Sequence, residues 1–180
     1  MIDLRQNSCI NKVIIHHTDT SNFVTGKQLN LDAIANSMFG LVFDIIINVN
    51  GNIDLSPRWI YATQGSQYIQ NVPLRGIINN YPKHYLSAAG DNTDTNLTTV
   101  HIAVIGNFNI TEPSIHQLHK LVEVIAQISY ELNLCIHKGE LKVLYHSDAF
   151  KVSCPGILFI DEKELKNKII AKVKKMGRCK

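Results

Sequence analysis

The stretch Lys12-Val13-Ile14-Ile15-His16-His17-Thr18 decides how the chain folds. Val13, Ile14 and Ile15 form an unbroken β-branched run, which favours extended backbone and predicts a short buried strand over 12–16. Two imidazoles and a hydroxyl, His16, His17 and Thr18, then stand at the strand's exit. Working outward, the apolar run 41–48 predicts a second strand, and Asn50-Gly51 supplies the positive-φ residues of a tight hairpin that returns antiparallel over 52–55. Between these strands a helix is predicted over 31–39, capped by Asn30, with Leu31, Ile34 and Met38 on one face. Residues 58–96 mix Gly, Pro, Asn, Ser and Tyr without periodicity and read as loops and short turns.

The second half is more regular. Residues 98–106 predict a strand and 107–111 a turn. A long helix opens near Pro113, a favoured first-turn residue, and carries Ile115, Leu118, Leu121, Val122, Ile125, Ile128 and Leu132 at helical spacing. Residues 142–145 form a short strand that delivers His146. Asp161 followed by Glu164 resembles a capping box that opens a final helix, with Leu165, Ile169, Val173 and Met176 inward. The element order describes an α/β chain: a central mixed β-sheet flanked by helices. With 180 residues and no repeat or break in composition, residues 1–180 are expected to form one domain, its core over about 12–176.

Composition removes several function classes. A chain that is 45% hydrophobic and 18% charged is a folded globule rather than a disordered tail. The richest apolar stretch, 41–49, is interrupted by Asp44 and is too short to span a bilayer, so no transmembrane segment is expected. Residues 1–11 lack the continuous apolar core of a secretory signal, which points to a cytoplasmic protein or one released by a non-standard route. The net charge of +3 is uneven: eight Lys or Arg follow residue 160, leaving ten bases against twelve acids before it. The body therefore has no basic, aromatic-interleaved stripe, and no nucleic-acid partner is expected. The basic C-terminal helix, from about residue 162, is expected to be a solvated face with weak attraction to an anionic surface. Cys9, Cys135, Cys154 and Cys179 contain no CxxC pair and are too scattered for a disulfide framework. If one ligates a metal, at most one bridge is left, a pattern suited to a reducing compartment or indifferent to redox state.

Three donors stand out as a possible catalytic zinc set: His16 and His146 at strand exits, and Cys154 in Ser153-Cys154-Pro155-Gly156. Such a site takes three protein ligands, commonly His or Cys thiolate, and keeps a fourth position open. Spacing alone leaves each as readily a core or surface residue. Four segments give them context: 13–18 (VIIHHT), 43–51 (FDIIINVNG), 100–108 (VHIAVIGNF) and 146–156 (HSDAFKVSCPG). In this order they resemble the zinc-dependent N-acetylmuramoyl-L-alanine amidases, the family of phage amidase lysozymes and animal peptidoglycan recognition proteins. The resemblance spans about residues 12–170 and implies a sheet of five or six strands with helices against it.

The resemblance further implies that His16, His146 and Cys154 are the ligands of Zn2+, and that the substrate is peptidoglycan or a muropeptide. The bond cut would be the amide between N-acetylmuramic acid and L-alanine. Zinc in such sites activates water and polarises the scissile carbonyl. The chain departs from the family where active members place helper groups. Phe43 stands where many have Tyr, Val152 where Lys or Thr is common, and Ala103 and Ile105 where some relatives carry Glu. Losing one oxyanion donor typically costs ~10²- to 10³-fold in rate. Lys151 and Ser153 flank Val152, and Lys151 is the candidate catalytic replacement; His17, Phe43 and His101 are candidate substrate contacts, with Tyr145 and Asp148 as further polar neighbours. Two functions follow from the same residues: a zinc amidase, or a peptidoglycan-binding module that keeps its metal without turnover.

Overall fold

In the computed structural model, which describes residues 10–35, 43–55 and 99–178, the β-branched run forms strand β1 (Lys12–His17) near the middle of a five-stranded sheet. Helix α1 (Gly26–Ala35) follows, then the hairpin of β2 (Ile45–Ile47) and β3 (Ile53–Leu55), and β4 (Thr99–Val104). Helix α2 (Ile115–Leu132), a 3-10 turn at Ile136–Lys138, β5 (Lys142–Tyr145), the short helix α3 (His146–Ala149) and α4 (Glu162–Lys175) complete the order. The strands are arranged β3-β2-β4-β1-β5. β1 pairs parallel with both β4 and β5, β2 pairs parallel with β4, and β3 runs antiparallel to β2, so the sheet is mixed.

The two-residue alternation of the strands divides the interior. Val13, Ile15, Ile45, Ile47, Val100, Ile102 and Val104 face the larger core, which α2 closes with Leu121, Val124, Ile125 and Ile128 and α4 with Leu165, Ile169 and Val173. The opposite face carries Ile46, Ala103 and Ile105 against Leu29 of α1, Phe43 and Val49. By the same alternation and register, His16, paired with Ala103, lies on this second face, as does His101.

Helix ends show why the elements start where they do. Ser114 caps α2 and forms a reciprocal box with Gln117, while its hydroxyl donates to the Val49 carbonyl at 2.6 Å and ties the helix to the end of β2. Asp161 caps α4 by accepting from the Glu164 N–H at 3.0 Å. Gly51 sits at φ 81° in the hairpin turn, where an added Cβ would lie 3.0 Å from the His116 carbonyl; glycine serves both the turn and the approach of α2.

Three expectations need correction. The first helix begins at Gly26 rather than 31, because Thr25 accepts from the Gln28 N–H at 3.1 Å and two distant side chains finish the cap. Asn48 accepts from the Gly26 N–H at 2.9 Å and Asp54 from the Lys27 N–H at 3.0 Å. Asn30 is thus interior, Leu31 is 51% exposed, and Met38 lies outside the described residues. Ile115, in the first turn of α2, is 74% exposed rather than part of the buried stripe. The second strand occupies only 45–47 of the expected 41–48, of which 41–42 are outside the described residues, as is the expected loop region 58–96. Cys135 is disulfide-bonded and Cys154 is free.

Candidate metal centre

Parallel pairing of β1 with β5 builds the site. Ile15 pairs with Tyr145, so the next residues of the two strands, His16 and His146, leave the sheet side by side with ring centroids 4.4 Å apart. This is the carboxyl end of parallel strands, where α/β sheets place their ligands. The chain then makes the single turn of α3, held by Asp148, whose carboxylate accepts from the Tyr145 N–H at 2.6 Å. A return loop brings Cys154 back, its carbonyl accepting from the Ser147 N–H at 2.8 Å. Gly156 makes that return possible: it sits at φ 114°, and an added Cβ would be 2.4 Å from the Phe108 carbonyl carbon. The Cys154–Pro155 peptide is cis.

The ligand atoms of His16, His146 and Cys154 all lie within 4.8 Å of one another. Cys154 Sγ is 3.9 Å from His16 Nδ1. Tetrahedral zinc with ordinary Zn–S and Zn–N lengths would place such atoms about 3.6 Å apart, so the donor set and its spacing fit the ion with a small contraction. The other ring nitrogen of His16 is turned inward, with Nε2 3.0 Å from Nδ1 of His101. His16 is 2% exposed, whereas His146 and Cys154 are half-buried and form the accessible side of the trio.

Burial shapes the charges. It pushes the Cys154 thiol up from the ordinary 9.0 to about 11, against the His17 backbone N–H, which donates to Sγ at 3.3 Å. Burial also lowers His146, helped by the nearby His17, and lowers His17 itself against the pull of Asp19. All three groups therefore favour their neutral forms, because desolvation disfavours the charged ones. Two aromatic rings flank the imidazoles: Phe43 has its centroid 5.1 Å from that of His16, and Phe150 stands edge-on to His146 at 5.3 Å.

The remaining sequence candidates are distributed around this centre. The His17 ring is buried on the other face of β1, where Nδ1 accepts from the Phe108 N–H at 3.2 Å. His101 is fully buried behind His16. Lys151, Val152 and Ser153 are exposed in the return loop, Val152 at 45%. The Tyr145 hydroxyl donates to the Ile160 carbonyl at 2.6 Å, and burial raises its pKa. Ala103 and Ile105 are buried in the smaller apolar cluster. His116 and His119 are exposed on α2. Sequence reading did not find the contact between His16 and His101, or Asp44, which is 3% exposed and accepts from the His101 N–H at 2.7 Å. The alternation of β4 hinted at His101, but only the parallel register puts it behind His16.

The chain belongs to the N-acetylmuramoyl-L-alanine amidase family, whose model matches residues 6–157. Among solved structures it is similar to the endolysin N-acetylmuramoyl-L-alanine amidase LysCS from Clostridium intestinale URNW, at 21% identity and a TM-score of 0.62 over 89% of this chain and 84% of that one. It is also similar to bumblebee PGRP-SA, at 19% identity and 0.56 over 88% and 81%. A third is the Ph2119 endolysin of a Thermus scotoductus bacteriophage, at 10% identity and 0.55 over 88% and 84%. At these identities the likeness establishes the fold, an α/β domain of the amidase and peptidoglycan-recognition type. No curated protein matches the sequence.

Proposed function

We propose that this protein is a zinc-dependent hydrolase of the amide joining N-acetylmuramic acid to L-alanine in peptidoglycan, with residues 1–180 acting as one unit. The observation that carries the reading is the convergence of the His16, His146 and Cys154 ligand atoms within 4.8 Å at the open end of the sheet. Family membership supplies the substrate class. Zinc held by these three residues would supply Lewis-acid chemistry, activating water and polarising the amide carbonyl.

The protein's own groups divide the remaining work. The His17 backbone N–H shares the negative charge of the Cys154 sulfur, to which it lies within hydrogen-bond distance. Phe43 and Phe150 pack against the His16 and His146 rings and limit how they can turn. Lys151, exposed three residues before Cys154, is the group proposed to meet the negative charge that develops on the carbonyl oxygen. Phe43, whose ring lies beside that of His16, borders the bound muropeptide.

Phe43 favours a second reading, a peptidoglycan-binding module without turnover, because a ring without a hydroxyl stands beside His16. Purified sacculi incubated with equimolar protein and zinc separate the two. New L-alanine amino termini without new reducing sugars are expected of the amidase. Retention on sacculi with no such termini, even at high protein and zinc, would overturn the hydrolase in favour of binding alone. In parallel, Cys154→Ser should abolish both stoichiometric zinc and any hydrolysis; unchanged metal content would refute the ligand assignment.

A further inference from the structure

A metal-bound imidazole uses one nitrogen for the cation and has to carry its proton on the other, and what accepts that proton fixes both tautomer and ring orientation. His16 turns Nδ1 toward Cys154 Sγ at 3.9 Å and Nε2 toward His101 Nδ1 at 3.0 Å. The two rings share a single proton in that contact. If His16 donates it, Nδ1 of His16 is a lone pair aimed at the trio; if His101 donates it, a neutral His16 carries its proton on Nδ1 and is lost as a ligand there.

We propose that His101 is the positioning residue of the metal centre: it accepts the Nε2 proton of His16 at Nδ1 and so commits the Nδ1 lone pair of His16 to the cation. This rests on the zinc reading of the site above. The placement of His101 suits a fixed acceptor. It is fully buried in β4, and its backbone is clamped by Asp44 from both sides, the carboxylate accepting its N–H at 2.7 Å and the Asp44 N–H donating to its carbonyl at 2.8 Å. The register sets Ile14 opposite His101 and His16 opposite Ala103, so the His16–His101 contact is a same-face diagonal between parallel strands.

The chemistry of this acceptor has a consequence for charge. The commoner partners of a metal-binding histidine are carboxylates and backbone carbonyls. A neutral imidazole orients His16 without adding negative charge, so a dication held by two imidazoles and one thiolate keeps a net positive charge with which to polarise a carbonyl.

The test measures zinc affinity by competition with a chromophoric chelator, independently of any hydrolysis. His101→Leu should weaken zinc binding by about 10- to 100-fold, the usual cost of removing such a partner. His101→Asn, whose amide oxygen can occupy the position of Nδ1, should recover most of it. In the zinc-loaded wild-type protein, the ¹⁵N shifts of His101 should show Nδ1 without a proton and Nε2 with one. A protonated Nδ1, wild-type affinity in His101→Leu, or His101→Asn no better than His101→Leu would each overturn the proposal. The last measurement of tautomer needs no variant to fold. Failure of the wild-type protein to bind zinc would sink the metal reading along with this one, whereas zinc-binding wild type with an indifferent His101→Leu sinks this one alone.

Discussion

Cys154, His146 and His17 give the metal-free protein a pH profile with two falling sides. Both histidines titrate below the ordinary 6.5 in the fold because burial disfavours their cations. On acidification through that range the unfolded chain binds protons that the folded one does not, so stability falls as pH drops below about 6.5. The Cys154 thiol, raised from 9.0 to about 11, keeps its proton in the fold after the unfolded chain has lost it. Stability therefore also falls as pH rises past about 9. Thermal melts of chelator-treated protein should be highest between about pH 7 and 8.5, and zinc should abolish the alkaline decline because the bound form of Cys154 is the thiolate. A flat alkaline limb without metal would contradict the burial of that thiol. Phe43 makes a second prediction at this scale. Its ring lies 5.1 Å from that of His16, so Phe43→Tyr would bring a hydroxyl near the reacting carbonyl. Turnover of a defined muropeptide should rise by on the order of 10- to 100-fold with little change in KM, as expected for a donor used mainly in the transition state. Unchanged kcat would mean that another group already fills that role.

The return loop after α3 matters more than its length suggests, because it alone carries the sulfur back to the two imidazoles. Gly156 sits at a positive φ of 114° with the Phe108 carbonyl carbon 2.4 Å from where a Cβ would be, so any side chain has to push the loop off β4's exit. Gly156→Ala should cost about 2 kcal/mol or more in stability, combining backbone strain with the clash. It should also weaken zinc binding, measured by chelator competition, through displacement of Cys154; unaltered affinity would mean that the loop adapts without moving the thiol. Strand and helix existence was largely legible along the chain: the β-branched run of β1, the positive-φ Gly51 of the hairpin, the stripe of α2 and the Asp161 cap are local signals that the fold obeys, although Asn50, expected to share the positive φ, does not. The start of α1 was not, because Asn48 and Asp54, more than twenty residues away, complete its cap. The same holds for the site. His16, His146 and Cys154 could be singled out as donors, but the pairing of Ile15 with Tyr145 that brings the two histidines together is a property of the sheet register. The role of His101 was hidden for that reason too, since no short-range pattern says which strand will lie beside β1.

For the molecule as a whole, charge is concentrated on α4. Lys166 and Lys168 pair with Glu162 and Glu164, while Lys163, Lys174 and Lys175 are exposed. Lys163 and Lys174, about three helical turns apart, share a face. Contact between this face and an anionic polymer is proposed as a weak, salt-sensitive attachment. The double change Lys174→Glu and Lys175→Glu should reduce retention on anionic cell-wall polymer at low salt, the difference vanishing near 0.5 M salt, while hydrolysis of small soluble muropeptides stays the same. Equal retention at low salt would assign attachment elsewhere. The distribution of the trio along the chain, at positions 16, 146 and 154, has a consequence for how the protein is made. His16 leaves the ribosome 138 residues ahead of Cys154. Only when Cys154 has emerged from the exit tunnel and β5 has docked beside β1 can the three donors converge, so no shorter nascent chain assembles the candidate metal centre.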